Sequence, residues 1–263
     1  MPHAEPNLAN APPQSRRPIT TTDLLKVVGL LLVFVDHYAL FFDPDEGWWR
    51  VPGRLAAPLF FFFIGFARSR QVPMAWLWLG AGLTAIDVLT SEEGLSGLNL
   101  NILFNFAALR LALPWVETRV MPHPARLVLL VGATLLVIQP VGLVLEYGAE
   151  GWLWALFGLA RRLEGDGCGG RVARLRGLAL GATAALAYWV TEVADLDLEG
   201  AKGGVLALLL LLLLLALVTF RRRDVAWTPP PPLGAAFRFS GRRSLEIYAA
   251  SLAGMQVLDY LRE

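Results

Sequence analysis

Residues 205–220 read VLALLLLLLLLALVTF, a run of sixteen residues without a charged side chain. A strand of a membrane β-barrel would alternate between apolar and polar side chains, and this run does not alternate. A helix that crosses the hydrocarbon core of a bilayer needs about 20 mostly apolar residues. The run therefore predicts a membrane-spanning helix, and it assigns the chain to the helical membrane proteins.

The composition of the whole chain agrees with that class. Hydrophobic residues make up 56% of the 263 residues, charged residues only 17%, and the mean hydropathy is +0.52. A soluble globular domain is about 45–50% apolar and about 25% charged. The formal net charge of +1 excludes a strongly basic nucleic-acid-binding protein. The expected surroundings are a lipid bilayer, and no nucleic-acid partner is expected.

Apolar segments long enough to approach a membrane span recur along the chain. They predict an all-α, polytopic integral membrane helix bundle of about nine transmembrane helices, which form a single domain over residues 23–263. Residues 1–22, rich in Pro, Asn and Ala, predict a disordered cytoplasmic tail. The candidate spans are 24–42, 55–72, 74–90, 99–116, 126–145, 150–163, 177–194, 203–220 and 244–261.

The distribution of basic residues predicts the orientation. With nine spans, the arginine-rich loops 164–176 and 221–243 fall on the same side as the N-terminus, and acidic stretches such as 195–199 fall on the other side. Cytoplasmic loops of membrane proteins carry an excess of Lys and Arg. We therefore expect a cytoplasmic N-terminus and a C-terminus on the outer side.

Cysteine and histidine are too scarce for a metal centre. Cys168 is the single cysteine, which excludes an internal disulfide and a CxxC metal site, and the chain has only three histidines, at His3, His37 and His123. No metal is expected.

Two ionisable residues within the first span point to a site. Lys26 and His37 are eleven positions apart, about 20° beyond three full helical turns, so they share a face. Their axial separation is roughly 16 Å. Charges at membrane depth usually face a bundle interior or a watery cavity. Histidine takes up and returns a proton near neutral pH, whereas Lys26 either holds an anionic ligand or extends to the interface.

Asp36 and His37 are consecutive, so their side chains point about 100° apart and do not readily bond each other. Arg54 opens the second span on the same side of the membrane and is the expected partner of Asp36. The pair is either structural or catalytic, and the sequence leaves both open.

Further polar residues divide between the two halves of the membrane. Cations fall in the cytoplasmic half, where they suit an anionic ligand: Lys26, Arg68 and Arg110. The outer half holds a base, acids and amides, and its amides are either helix-to-helix bonds or substrate contacts: His37, Asp36, Arg54, Asn101, Asn105 and Glu146, with Tyr147 beside them. In the last span Glu246 is either a rim charge or an internal partner.

Several short motifs follow one another in a characteristic order. They are Asp36-His37 at the end of the first helix, GRLAAPLF at 53–60, NILF at 101–104, and Tyr147-Gly148 followed by Gly151. The series resembles the TraX family of bacterial inner-membrane proteins, named for a member linked to F-pilin N-acetylation. This resemblance implies a multi-pass protein of the bacterial inner membrane.

Two further features are similar to the acyltransferase-3 group. The spacing of Lys26 and His37 matches an Arg-x10-His pattern, although lysine lacks the bidentate fork of arginine. The segment GRRSLEIY at 241–248, which contains Glu246 and Tyr248, is similar to the last helix of that group. Ser251 stands where that helix often continues to a histidine, so no role is assigned to it.

Together the resemblances imply an acyltransferase that uses acetyl-CoA or another acyl-CoA. His37 would be the general base, with Asp36 beside it, and Lys26, Arg68 and Arg110 would hold the coenzyme. The acceptor would be an amine or hydroxyl at the outer face, on a pilin, a polysaccharide or a lipid head group. A homodimer is left open. The alternatives are a non-catalytic transporter or exporter of a lipid-linked or small polar substrate, and a purely structural membrane subunit.

Overall fold

A computed structural model of the chain describes residues 18–43, 47–90, 99–167, 170–198, 200–226 and 229–262. All of its regular elements in these ranges are helical. The tail predicted to be disordered lies mostly outside the described residues, but its last residues are ordered. Thr20 caps the first helix: its side chain accepts a hydrogen bond from the Asp23 amide, and Asp23 bonds back to the Thr20 amide.

Within the described residues, twelve α-helices follow one another. Their bounds are α1 Thr21–Phe42, α2 Arg50–Gly53, α3 Ala56–Phe66, α4 Met74–Thr90, α5 Ile102–Trp115, α6 Pro124–Leu136, α7 Ile138–Gly142, α8 Glu150–Gly165, α9 Gly170–Asp195, α10 Ala201–Thr219, α11 Pro231–Arg242 and α12 Ser244–Tyr260. A π-helical turn, Val116–Val120, continues α5.

Three of these helices are long and apolar enough to cross a membrane: α1, α9 and α10. Two shorter apolar helices, α4 and α6, have 17 and 13 residues. The prediction of an all-helical membrane protein is confirmed at that level. Nine full-length spans are not seen in the described residues, because several predicted segments are interrupted by proline or capped early.

The second predicted span, 55–72, contains only the short helix α3. Beyond Ala67 the chain is extended, and Arg70 turns back to donate hydrogen bonds to the carbonyls of Ile64 and Gly65. These carbonyls would accept the next amides if the helix continued. Pro73 also disfavours a helical conformation for the residue before it. The helix therefore ends at Phe66.

The fifth predicted span, 126–145, is divided into α6 and α7. The break falls at Val137, whose φ and ψ are −101° and 7°. Pro140 lies three residues later, and its ring would clash with the carbonyl of Leu136 in a continuous helix. In α5, by contrast, Pro114 lies inside the helix, and the π-helical turn follows directly after Trp115.

The core is built around α3. Every residue from Ala56 to Gly65 is buried, so this helix is apolar on all sides. It packs most closely on α8, because Gly65 and Gly158 leave room for the facing backbone. A Cβ at Gly65 would lie 1.8 Å from the Ala155 carbonyl oxygen, and one at Gly158 would lie 2.1 Å from that of Phe62.

Both predicted loops are partly helical, which corrects the prediction: of residues 164–176, the first two belong to α8 and Gly170 onward belongs to α9. Residues 231–242, within the 221–243 connection, form α11, which starts with proline at its first position as helices often do. It packs against the start of α1, where Gly241 contacts Asp23. Helix α12 then runs beside α1 and α4. This arrangement places α11 and α12 along the helix that carries Lys26 and His37.

Candidate active site

Two large polar cavities lie near opposite ends of α1. We name them by α1 residues: the Lys26 cavity has a volume of about 1160 Å³, and the Asp36 cavity has a volume of about 420 Å³. Between them is a small chamber of about 20 Å³, which His37 lines. The chamber shares Phe60, Phe106 and Leu245 with the Lys26 cavity. It shares Asp36, His37 and Tyr147 with the Asp36 cavity.

The Lys26 cavity contains all three cations that the sequence assigned to coenzyme binding. Its wall also includes the aromatic rings of α3 and α5. Carboxylates are present but fewer than cations. The cationic side chains on its wall are Lys26, Arg68, Arg110, Arg161, Arg162, Arg221, Arg222 and Arg242, and the acidic ones are Asp23, Glu164, Asp166 and Glu246.

The three predicted cations differ in how they are engaged. Arg68 is 77% exposed and pairs with Asp166. Arg110 lies over the Trp76 ring, with its guanidinium carbon 4.2 Å from the ring centroid, and donates to a backbone carbonyl. Lys26 donates to the Gly241 carbonyl oxygen at 3.1 Å, and within the described chain it has no carboxylate at ion-pair distance. Lys26 and Arg110 are therefore better placed than Arg68 to accept an anion.

Glu246 lies at the same cavity, near the start of α12, where the sequence had left its place open. It is a rim carboxylate on the Lys26 side and is separated from Asp36 by the chamber. Its negative charge reduces the attraction of this rim for anions, but the cavity keeps a net positive charge because cations outnumber carboxylates on its wall.

The Asp36 cavity is built on a buried ion network. Arg54 extends its guanidinium between two carboxylates, 3.7 Å from Asp36 and 3.1 Å from Glu192, and only 12% of its side chain is exposed. Arg50 contributes a second contact with Asp36, also at 3.7 Å. The predicted pair of Asp36 and Arg54 is thus confirmed. The Tyr188 hydroxyl stabilises the network by donating a hydrogen bond to the Arg54 carbonyl oxygen at 2.8 Å.

The motif around Gly53 is explained by the approach of α2 to α1. A Cβ at Gly53 would lie 2.5 Å from the Cβ of Asp36 and 2.7 Å from its Cα. Any side chain at this position would push α2 away from α1. The glycine therefore sets the distance across which Arg50 and Arg54 contact Asp36.

Asn101 and Asn105, at the start of α5, make hydrogen bonds to α4 and to the loop before α8, respectively. The Asn101 amide donates to the Gly80 carbonyl at 2.7 Å, and its oxygen caps α5 at the Leu103 amide. Asn105 donates to the carbonyls of Glu146 and Gly148 and accepts from the Trp152 indole. Both asparagines therefore act between helices, which was one of the two readings left open.

The loop itself presents two predicted residues to the Asp36 cavity. The Glu146 carboxylate accepts from the Ile102 amide at 2.9 Å, and the Tyr147 hydroxyl accepts from Arg54 at 3.2 Å. Burial raises the pKa of both groups above their usual values. Tyr147 adopts a positive φ of 61°, which is rare for a residue with a side chain and marks a constrained turn.

His37 lies where the two sides of the site meet. It is buried, with 6% exposure, and faces the chamber as well as the Asp36 cavity. Its ring centroid is 5.6 Å from that of Tyr248. In the described structure its Nδ1 has no hydrogen-bond partner. Nδ1 therefore does not hydrogen-bond His37 to another helix, and this nitrogen remains available to a ligand.

Sequence reasoning missed several carboxylates that line the Asp36 cavity. Glu192 lies within the predicted span 177–194 and Asp87 within the span 74–90, so the rule that singled out His37 applies to both. Glu150 opens α8 and is also buried. Asp87 accepts a hydrogen bond from Gln256 at 3.2 Å, which ties α4 to α12. A uniform search for charges inside predicted spans would have found Glu192 and Asp87.

Comparison with known proteins gives one consistent family. The family model described as TraX protein matches residues 21–166. Two curated relatives are both named Protein TraX: one from Escherichia coli is 36% identical over 102 residues, and one from Escherichia coli strain K12 is 33% identical over 102 residues. In each case the match covers 37% of this chain and 40% of the relative.

No solved structure matches the chain. The similarity to the acyltransferase-3 group stays a prediction. The region matched by the family model contains Lys26, His37, Arg54, Asn105 and Tyr147, and it therefore includes most of the chamber and both arginines of the ion network. The chain belongs to the TraX family.

Proposed function

We propose that this protein is a membrane acyltransferase that moves an acetyl group, or another small acyl group, from acyl-CoA to an amine or hydroxyl acceptor. In this proposal it lies in the bacterial inner membrane, with the Lys26 cavity facing the cytoplasm and the Asp36 cavity facing outward. Family membership supports a role in acetylation. The acceptor can be a pilin, a polysaccharide or a lipid head group.

The observation that carries the proposal is a small chamber, lined by His37, that shares wall residues with each of the two polar cavities. A thioester donor entering beside Lys26 and an acceptor entering beside Asp36 would both reach the chamber that His37 lines. The Lys26 cavity and the chamber share three wall residues, Phe60, Phe106 and Leu245. Rotation of these side chains would open a path without moving a helix.

The donor side has chemistry that suits coenzyme A. Lys26 has donor capacity beyond its single carbonyl contact, and the surrounding arginines add positive charge near an anionic ligand. Phosphate groups would lie against these cations, while the apolar wall formed by Phe60 and Phe106 would accommodate the pantetheine arm. The roughly 16 Å of helix between Lys26 and His37 is then spanned by that arm.

On the acceptor side, His37 would act as general base. The imidazole takes the proton from the acceptor's N–H or O–H as that atom attacks the thioester carbonyl carbon. The new C–N or C–O bond forms, the C–S bond breaks, and the coenzyme thiolate leaves and receives the proton. Asp36, held between Arg50 and Arg54, positions the outer end of α1 and does not itself bond to His37.

The test uses protein reconstituted into vesicles with radiolabelled acetyl-CoA and a total envelope extract as the source of acceptor. His37→Ala is expected to lower label transfer by roughly 10²–10⁴-fold, the usual contribution of a positioned base. His123→Ala is the matched control, because His123 lies before α6 and outside the three cavities.

Binding separates the enzyme from the exporter alternative. Acetyl-CoA should raise the melting temperature of the wild-type protein and of the His37→Ala variant alike. Near wild-type transfer by His37→Ala would contradict the mechanism. Wild-type protein that neither transfers label nor is stabilised by acetyl-CoA would contradict the enzyme assignment and leave transport of a polar substrate as the better account.

A further inference from the structure

His37 and Tyr248 line the same chamber, and each has one buried polar atom without a partner among the described residues. His37 Nδ1 and the Tyr248 hydroxyl are both inaccessible to solvent, and in the described structure neither makes a hydrogen bond. Tyr248 is 5% exposed. Buried polar atoms in folded proteins are almost always bonded, so each exception calls for an explanation. Asp36 Oδ1 on the same chamber also makes no hydrogen bond within the described chain but pairs with Arg50, so the two groups without any partner indicate that a polar ligand normally fills the chamber.

The size of the chamber limits that ligand. Its volume of about 20 Å³ is close to that of a single water-sized group, since a water needs about 10–15 Å³ by this measure. Most of the remaining wall is apolar, with Val33, Ala57 and Ile102 among its residues, and Asp36 and Tyr147 lie at the side shared with the Asp36 cavity. A small group with one hydrogen-bond acceptor fits beside the Tyr248 hydroxyl in this space.

We infer that Tyr248 is a catalytic residue that donates a hydrogen bond to the carbonyl oxygen of the acyl group in the chamber. The inference rests on the proposed acyl transfer and adds a residue to it. Tyrosine carries one hydroxyl proton that it can donate. With its ring 5.6 Å from that of His37, the hydroxyl and the imidazole line the same small space.

The hydrogen bond would act on the tetrahedral intermediate. When the acceptor nitrogen or oxygen bonds to the carbonyl carbon, its proton passes to His37 and the C=O electron pair moves onto oxygen. Tyr248 donates to that oxyanion without giving up its proton. The C=O bond then re-forms, the C–S bond breaks, and the proton on His37 goes to the leaving thiolate. A donor fixed in a water-poor site stabilises such charge more than water does.

The experiment is Tyr248→Phe in the reconstituted transfer assay with acetyl-CoA. Loss of one oxyanion donor lowers kcat by roughly 10²–10³-fold, and KM for acetyl-CoA should change less than about threefold because the ground-state carbonyl is bound weakly by this bond. Tyr38→Phe is the matched control, since Tyr38 is an exposed residue of α1 outside the chamber. It should keep the wild-type kcat.

Folding does not confound this substitution. The Tyr248 hydroxyl makes no hydrogen bond in the described structure, so its removal should leave the melting temperature within about 2 °C of wild type. A Tyr248→Phe protein with wild-type kcat and normal melting temperature overturns the inference while leaving the acyltransferase proposal intact. A wild-type protein without transfer overturns the proposed function instead.

A spectroscopic measurement tests the same bond without turnover. Acetyl-CoA labelled with a heavy carbon isotope at its carbonyl is bound to His37→Ala protein, which should bind but not react. The carbonyl stretch is expected at lower frequency than in water-free solvent, and Tyr248→Phe in the same background should remove that shift. An unchanged stretch in the double variant would place the donor elsewhere and overturn the inference.

Discussion

The two cavities differ in the sign of their charge and in how that charge is held. The Lys26 cavity carries a majority of cations, and one of them, Arg68, forms an exposed pair with Asp166. The Asp36 cavity carries six carboxylates against two arginines, and its central cation, Arg54, is buried between two of those carboxylates. One side therefore offers positive charge near solvent, and the other offers a fixed ionic framework.

This difference indicates separate tasks for the two sides. Exposed ion pairs contribute about 0–1 kcal/mol each, so Arg68 at the Lys26 cavity can exchange its partner for an incoming anion at little cost. Breaking a buried pair costs about 3–5 kcal/mol because an uncompensated charge remains. The Asp36 network is thus suited to holding α1, α2 and α9 in register, and the Lys26 cavity is suited to binding and release.

The largest expected effect is the loss of the buried cation. Arg54→Ala leaves Asp36 and Glu192 without their shared partner and should destabilise the protein by about 3–5 kcal/mol. The change is measured as a fall in melting temperature in detergent. Arg68→Ala, which removes a 77% exposed guanidinium, is the matched control and should change stability by less than about 1 kcal/mol. Equal losses in the two variants would remove the contrast between the cavities.

A smaller effect is expected at the other cavity. Lys26→Ala should weaken acetyl-CoA binding roughly tenfold, equivalent to about 1.4 kcal/mol, because one charge-assisted hydrogen bond is lost. Lys26→Arg should retain most of the affinity. Binding is followed by isothermal calorimetry at two salt concentrations, and the difference between wild type and Lys26→Ala should shrink at high salt. Unchanged affinity in Lys26→Ala would separate the lysine from the donor site.

The sequence predicted individual contacts, such as that of Asp36 with Arg54, better than the bounds of the spans. The spacing of Lys26 and His37, and the pairing of Asp36 with Arg54, follow from helix periodicity and from the rarity of buried charge, and both are local or pairwise rules. The division of residues 126–145 into two helices depends on one proline, Pro140, which a hydropathy window does not register. The early end of α3 depends on a side chain that turns back to cap it.

Other features were beyond sequence reasoning because they depend on tertiary packing. The role of Gly53 follows only when α2 is placed against Asp36. The bonds of Asn105 to the loop before α8 join residues more than forty positions apart. The chamber is formed by side chains from α1, α3, α5 and α12 with Tyr147 of that loop, so its size is a property of the assembled bundle.

The central claim is that one histidine is reached from both cavities. The most direct measurement is a cryo-electron microscopy structure, in a lipid nanodisc, of the protein bound to a non-hydrolysable ketone analogue of acetyl-CoA. We expect the phosphates to lie beside Lys26, the pantetheine arm to pass Phe60 and Phe106, and the carbonyl of the analogue to lie between His37 and Tyr248. An analogue bound elsewhere, or one that stays outside a closed chamber, would contradict acyl transfer at His37.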